Sequence, residues 1–194
     1  MNRNFYLPKV VLILFFFTFL KVSVEAQTEP EFIGRINYYA AGRSQELEMK
    51  EPTEKTKLNA QGIITKVFAK KTTGKAYTYF TFPGVKSPVR LNNKGKVTFI
   101  IKVKDNNLDP TKHIVILKMK WDPTKDIRYF EYISKINADE ISIVGFPQEV
   151  PVPFNSKRFG KSSYIITVES LMSGEYAVYS KDKDAEYCGL FGID

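Results

Sequence analysis

Hydrophobic and polar residues alternate with a period of two along most of the chain after residue 27. The clearest case is the stretch 96–104, in which Val97, Phe99 and Ile101 share one face and polar residues occupy most of the other. A period of two is typical of β-strands, and no comparable run has the spacing of a helix. We therefore predict strands at 32–41, 45–50, 63–70, 76–82, 87–91, 96–104, 113–121, 127–134 and 140–146, and three more within 163–193.

Turn signals separate these segments at intervals of about 8–12 residues, which is typical of a β-sandwich. The strongest are the Asn-Asn-Lys-Gly run at 92–95 and the turn at Asp122. Pro147, Pro151 and Pro153 mark an extended loop, and the roughly 40 residues after it are too few to form a core of their own. The pattern therefore predicts one all-β domain over residues 27–194, folded as an antiparallel β-sandwich.

Residues 1–26 have the pattern of a cleaved secretory signal peptide. Arg3 and Lys9 precede the apolar run VVLILFFFTFL, and Val24 and Ala26 form a cleavage site of small residues. The alternative is an uncleaved membrane anchor, but the eleven apolar residues are far fewer than the ~20 that a spanning helix needs. We therefore expect the protein to be exported, either to the periplasm or as a secreted protein, with no membrane span in the mature chain.

The stretch 163–193 contains a local motif between its first and second predicted strands. Leu171, Gly174 and Tyr176 place an apolar residue, a turn glycine and a tyrosine just before an apolar strand. This motif resembles the tyrosine corner of immunoglobulin-like and fibronectin type III sandwiches, in which the tyrosine hydroxyl bonds to upstream backbone. The resemblance implies an immunoglobulin-like topology with additional strands, although the paired cysteines of antibody domains are missing. The arrangement also resembles small exported proteins of Gram-negative bacteria that have no assigned activity.

The charge and the cysteine content narrow the range of partners. The formal net charge is +8, and loss of three basic residues and one acidic residue with the signal lowers it to +6. That excess favours anionic partners weakly and falls far short of a nucleic-acid-binding signature. The single cysteine, Cys188, allows no intramolecular disulfide. We interpret it as a buried thiol, with pairing to another chain as the alternative.

No complete catalytic or cofactor motif is present in the sequence. His113 is the only histidine, and a histidine–cysteine or serine–histidine site needs a third group to orient the base. Zinc needs three or four nitrogen or sulfur ligands, and only His113 and Cys188 are available. The Gly-Lys-Ser run at 160–162 lacks the earlier glycine of a phosphate loop. Residues 182–186 carry three acids but lack the glycine and glutamate of a calcium-binding hand, so we expect no cofactor.

Lysines on the polar faces of predicted strands are the remaining signal. If these strands are neighbours, their lysines form a basic patch, with Tyr77, Tyr79 and Arg128 nearby. Such a patch suits an anionic polysaccharide, and the alternative interpretation is a solvated sheet face whose edge lysines prevent aggregation. The candidate anionic-ligand residues are Lys66 and Lys70 on one strand, Lys102 and Lys104 on a second, and Lys118 and Lys120 on a third.

These observations predict an exported, non-catalytic binding or structural protein of the cell envelope, whose partner is a protein or an anionic glycan. Two alternatives remain. The first is an anionic-glycan-binding module that uses the lysine-rich strand faces. The second is a carboxylate-dependent glycan hydrolase, which needs two acidic side chains about 5–10 Å apart in a cleft. Its undistinguished candidates are Glu131, Asp139, Glu140 and Glu169.

Overall fold

The computed structural model of the protein describes residues 28–40, 43–58, 74–92, 95–136, 146–181 and 187–194. The predicted signal peptide and the predicted strand at 63–70 lie outside these ranges, as does the segment 140–146 apart from its last residue. The described residues form one short helix, α1 (Pro110–His113), and fourteen strands. The strands are β1 (Ile36–Ala40), β2 (Arg43–Glu46), β3 (Glu48–Lys50), β4 (Thr53–Leu58), β5 (Gly74–Pro83), β6 (Arg90–Leu91), β7 (Val97–Lys102), β8 (Ile114–Asp122), β9 (Ile127–Ile136), β10 (Phe146–Pro147), β11 (Asn155–Phe159), β12 (Ser163–Val168), β13 (Gly174–Ser180) and β14 (Cys188–Ile193).

The strands form two sheets that pack against each other. The first sheet has the order β11-β12-β7-β1-β2, and the second has the order β3-β14-β13-β8-β9-β5-β4, with β10 beside β9 and β6 beside β14. The pairings are antiparallel except that of β6 with β14, which is parallel. The all-β antiparallel sandwich predicted from the alternation is therefore confirmed.

One hydrophobic core lies between the two sheets. Val97, Phe99 and Ile101 of β7 are buried in it, in the phase that the alternation predicts. They pack in one cluster with Ile116 of β8 and Phe191 of β14. The rings of Phe99 and Phe191 have centroids 5.2 Å apart, so the two sheets touch directly. Each such side chain contributes roughly 1.5–3 kcal/mol when it is fully removed from water.

A second hydrophobic core lies on the opposite face of β8, β13 and β14. Ile114 and Ile116 of β8 join the first core, whereas Val115 and Leu117 join the second. Strand β14 is buried along its whole length. Strands that are covered on both faces have nearly continuous apolar sequences, as the run Ile-Val-Ile-Leu in β8 has. These three strands are therefore the middle layer of the molecule.

The second sheet folds back on itself to cover that second core. β8 pairs with β13 through residues 114–119, but with β9 only through residues 120–122. Past this short hairpin, the inner faces of β9 and β5 pack onto β13 and β14. The rings of Phe130 in β9 and Tyr179 in β13 stack with centroids 5.6 Å apart. The molecule consequently has three layers, one more than a simple sandwich.

The motif at the start of β13 has the hydrogen bond that its sequence predicts. The Tyr176 hydroxyl donates to the backbone carbonyl of Met172 at 2.7 Å. The Tyr176 ring stacks on Phe191 with centroids 5.3 Å apart, and Leu171 is buried in the first core. Gly174 has φ = +150°, a conformation that residues with a side chain rarely adopt. The three motif residues therefore fix the entry into β13.

Several local elements differ from the prediction. His113 ends the helix α1, which Asp109 caps by accepting from the backbone N–H of Thr111, so it is not in the strand predicted at 113–121. Strand β4 had no predicted counterpart, because its sequence Thr-Glu-Lys-Thr-Lys-Leu offers little apolar alternation. The proline-rich loop runs beside β8, where the backbone N–H of Val152 donates to the carbonyl of Ile116 at 2.8 Å. That contact fills part of the β8 edge from which β9 diverges.

Tyr176→Phe should lower the free energy of unfolding by about 1 kcal/mol, because it leaves the Met172 carbonyl without its hydroxyl donor while keeping the ring stack. Urea or thermal unfolding of the two proteins measures the difference. Tyr187→Phe, at an exposed tyrosine, is the matched control and should change little. Unchanged unfolding of Tyr176→Phe would show that the hydrogen bond contributes nothing to the corner.

Candidate functional site

The six predicted patch lysines are not brought onto neighbouring strands. Lys102 lies at the end of β7 in the first sheet, whereas Lys118 and Lys120 lie on β8 in the second. The partners of β7 are β1 and β12, and those of β8 are β13 and β9. Lys104 follows β7 on the surface, and Lys66 and Lys70 lie outside the described residues. The structure therefore distributes the four described lysines over two sheets.

Two of these lysines are engaged by groups of the chain itself. The Lys102 ammonium donates to the backbone carbonyl of Glu31 at 2.9 Å. Lys120 lies between two carboxylates, with its Nζ 3.3 Å from Glu131 Oε1 and 3.0 Å from Glu149 Oε1. An ammonium that is already neutralised attracts an added anion less than a free one does. The predicted patch is thus weaker than a count of its lysines suggests.

Aromatic side chains gather instead on the outer face of the folded-back strands. In β5, Phe80 and Phe82 point into the second core, so the alternate residues Tyr77 and Tyr79 point outward. Residues of the neighbouring strands share this face. In the strand pairing, Tyr79 lies between Lys55 of β4 and Glu131 of β9, and Thr81 lies beside Tyr129 of β9. Lys120 of β8 pairs in turn with Tyr129. We call this surface the tyrosine face, and it comprises Tyr77, Tyr79, Tyr129, Lys55, Lys120 and Glu131.

The tyrosines of this face are half-buried and hold a defined geometry. The rings of Tyr79 and Tyr129 have centroids 6.1 Å apart and are inclined by 55°. Partial burial, followed by the nearby charge of Glu131, raises the pKa of the Tyr79 hydroxyl above its usual value. Tyr79 is therefore a neutral hydrogen-bond donor and acceptor at physiological pH. The face offers flat apolar surface together with phenol hydroxyls.

A charged cluster of Lys120, Glu131 and Glu149 borders the tyrosine face. Glu149 Oε2 also accepts from the backbone N–H of Glu131 at 3.3 Å, which ties the loop after β10 to β9. The largest single influence on the pKa of Lys120 is burial, which lowers it. The hydrogen bonds and charges of Glu149 and Glu131 together outweigh burial, so the pKa of Lys120 is raised above its usual value. Lys120 therefore stays charged, and it is held at the surface by two largely buried carboxylates.

This cluster also bears on the hydrolase alternative. Because one nitrogen contacts both carboxylates, Glu131 and Glu149 lie close enough together for a two-carboxylate mechanism. The ammonium between them, however, occupies the position that a sugar or water would need. Of the other candidates, Glu169 forms an exposed ion pair with Lys96, and Asp139 and Glu140 lie outside the described residues.

Arg128, which we expected beside the lysine patch, is completely buried. Its Nη2 lies 3.2 Å from Glu48 Oε2 of β3 and donates to the carbonyl of Pro83 at 3.3 Å. Its Nη1 lies 3.4 Å from Glu175 Oε2 of β13. The expectation is corrected because Arg128 shares the inner face of β9 with Phe130. Its guanidinium can therefore touch no ligand at the surface.

Glu175 connects Arg128 to a second arginine nearer the surface. Glu175 Oε2 accepts from the backbone N–H of Ser87 at 2.8 Å, and its Oε1 contacts Arg90. Arg90 in turn bonds to the Asp194 carboxylate at 2.6 Å. Alternating charges thus run from Glu48 to Asp194, and we call this row the arginine network. Buried charges are tolerated when they are paired in this way.

Cys188 agrees with the buried-thiol interpretation. It lies in the second core among Ala177, Leu190 and Phe130. Burial raises the pKa of its thiol to about 12, so almost no thiolate forms at neutral pH. A reactive cysteine needs the opposite, a lowered pKa and access to solvent. His113 belongs to α1, and the acidic run at 182–186 lies outside the described residues.

The described residues contain neither a metal-binding cluster nor a membrane-spanning helix. No three of their histidine, cysteine, aspartate and glutamate side chains come together in a way that could hold a metal ion. No helix within the described ranges is long and apolar enough to cross a membrane. The tyrosine face and its charged border are accordingly the surface feature from which a function can be argued.

Arg128→Met should lower the free energy of unfolding by about 3 kcal/mol, because it leaves Glu48 and Glu175 buried with fewer compensating charges. Urea unfolding measures the loss, and Arg158→Met, at an exposed arginine of β11, is the matched control. Adding Glu48→Gln to Arg128→Met should recover part of the loss. A loss below about 1 kcal/mol would show that the arginine network does not hold the folded-back strands.

Cys188 should react with iodoacetamide at pH 9 about a hundredfold more slowly in the native protein than in urea, since a thiol with the reference pKa of 9.0 is half ionised at that pH and the buried one is not. Mass spectrometry of the alkylated protein over time gives both rates. Equal rates would contradict the burial of the thiol. A disulfide-linked dimer on non-reducing electrophoresis would instead support the pairing alternative.

Known proteins give no guide to this surface. No protein-family model, curated protein or solved structure matches the chain. The immunoglobulin-like resemblance of Leu171, Gly174 and Tyr176 stays an expectation, since the observed hydrogen bond is a local feature.

Proposed function

We propose that this protein is an exported, non-catalytic binding protein of the cell envelope, and that the tyrosine face binds glycan. The observation that carries the proposal is the set of three half-buried tyrosines on one outward sheet face, in contact with a fixed lysine–glutamate cluster. The export pattern of residues 1–26 supports a place in the envelope, where polysaccharide is abundant.

Glycan suits the chemistry of this face. The C–H faces of sugar rings stack on flat aromatic rings, and the inclined pair of Tyr79 and Tyr129 offers two such surfaces. Sugar hydroxyls need both donors and acceptors, which the phenols and Lys120 supply. Tyrosine also loses little conformational freedom on binding, because it has only two rotatable side-chain bonds. A flat, rigid, amphipathic surface of this kind favours an extended polysaccharide chain over a small ligand.

The charge of the face indicates a weak preference among glycans. Lys55 is exposed and Lys120 is partly exposed, but Glu131 and Glu149 offset Lys120. Binding through stacking on the tyrosine face should therefore depend little on salt. Binding through the lysine-rich strand faces, the anionic-glycan alternative, should fall steeply with salt because it rests on screened charges.

The strand order supports the immunoglobulin-like topology that the sequence resemblance implies. Matching β1, β7, β11 and β12 to strands A, B, D and E gives the first sheet in the order expected of such a domain. Matching β14, β13 and β8 to G, F and C gives the second. In this proposal β4, β5 and β9 extend the second sheet, and they carry the tyrosine face. The fold by itself assigns no function.

Tyr79→Ala and Tyr129→Ala should each weaken glycan binding about tenfold, because each removes one stacking surface. Affinity electrophoresis and calorimetry with peptidoglycan fragments, lipopolysaccharide and a neutral glucan, at low and high salt, measure the loss and its salt dependence. Tyr187→Ala, at an exposed tyrosine just before β14 whose ring lies under Arg35, is the control that should bind normally.

Equal binding by Tyr79→Ala and the unaltered protein would overturn the tyrosine face as the binding surface. Binding that disappears at high salt but survives both tyrosine changes would favour the lysine-face alternative. Release of reducing ends from a bound glycan, abolished by Glu149→Gln, would establish the hydrolase alternative. Capture of an envelope protein in place of any glycan would move the assignment to the structural role.

A further inference from the structure

A cavity of about 360 Å³ opens where the ends of β8, β13 and β14 meet the loop before β6. Its apolar walls are formed by Val85, Met119, Ile193 and the side chain of Trp121. This volume is within the usual range for sites that hold small organic molecules, which are mostly apolar with a few placed polar groups. None of the residues that line the cavity belongs to the tyrosine face.

Trp121 gives this cavity one flat, accessible wall. It is the only tryptophan of the chain, and 59% of its surface is exposed. A large aromatic side chain that stays this open beside a cavity leaves apolar area without a protein partner. A ligand with a planar or ring-shaped apolar body could cover that area by stacking on the indole.

Three cations and one carboxylate line the cavity, namely Arg90, Lys86, Lys118 and Glu175. Arg90 is held between the carboxylates of Glu175 and Asp194, so its charge is already neutralised. The remaining cations of the lining are Lys86 and Lys118.

Lys118 is the half-buried one of these two lysines, whereas Lys86 is exposed. Its ammonium forms no hydrogen bond or ion pair with another residue that the structure describes, although the side chain is half-buried. Gly174 gives it room, because a Cβ at that position would lie 2.6 Å from Lys118 Cε. Because Gly174 has no side chain, the stem of Lys118 can lie directly against the backbone of β13. A half-buried ammonium placed this way attracts an anion more strongly than an exposed one.

We propose that this cavity binds a small organic monoanion, a carboxylate on a single apolar ring, with the ring against Trp121 and the carboxylate on the Lys118 ammonium. The half-buried Lys118 ammonium matches one carboxylate. The apolar walls favour a hydrocarbon ring over a sugar acid, whose hydroxyls would lose their water without gaining partners. This inference does not rest on the proposed glycan function, since it uses other residues.

Titration of the purified protein with benzoate, followed by the fluorescence of Trp121, tests the proposal directly because no other tryptophan contributes. The fluorescence should change saturably, with an affinity of ~1 mM or better for so small a ligand. Lys118→Met keeps the apolar stem and should weaken benzoate at least about tenfold, the effect of losing one charge-assisted hydrogen bond. Lys157→Met, at an exposed lysine of β11, is the matched control and should leave the affinity unchanged.

Benzamide, the neutral counterpart of benzoate, should bind the unaltered protein at least about tenfold more weakly, and this arm needs no variant to fold. Absence of saturation with benzoate, equal affinity for benzamide, or unchanged affinity in a folded Lys118→Met protein would overturn the proposal. Glucuronate that binds more tightly than benzoate would overturn the apolar-ring assignment. Failure of glycan binding at the tyrosine face would leave all of these outcomes unaffected.

Discussion

The arginine network holds the folded-back part of the second sheet to the rest of the molecule. Arg128 comes from β9, yet its partners Glu48 and Glu175 belong to β3 and β13 of the middle layer. A guanidinium with no exposed surface has to find charges of the opposite sign, since burial without them costs several kcal/mol. The position of the third layer is therefore specified by charge pairing, whereas the apolar contacts of Phe130 and Tyr179 supply most of its adhesion.

The folding back of β9 and β5 creates both the tyrosine face and the cavity beside Trp121. Because the inner face of β5 and β9 covers the second core, their outer face turns Tyr77, Tyr79 and Tyr129 to the outside. The same bend ends the pairing of β8 with β9 at residues 120–122, where Trp121 stays exposed beside its cavity. A flat two-layer sandwich with β9 continuing beside β8 would have neither the second core nor this arrangement of aromatic side chains.

Parts of this structure could be read from individual residues. Alternation in Val97, Phe99 and Ile101 predicts the inward face of β7, because a strand presents every second residue to the same side. The motif at Tyr176 predicts a hydroxyl bond to upstream backbone, because that contact is local in sequence. Burial of Arg128 also had a signal, since it alternates in phase with Phe130 and Tyr132. The contact of Lys120 with Glu149 had no signal in the sequence, because it depends on the path of the loop after β10.

The sequence alone determined the all-β class, the inward phase of β7 and the corner at Tyr176, because each depends on spacing within one segment. Only the tertiary structure decided which strands are neighbours, since pairing is a competition among segments far apart in the chain. That competition placed β7 and β8 in different sheets and separated Lys102 from Lys118. It also decided that the motif at 171–176 fixes only one corner, while Arg128 and the folded-back strands shape the surfaces available for binding.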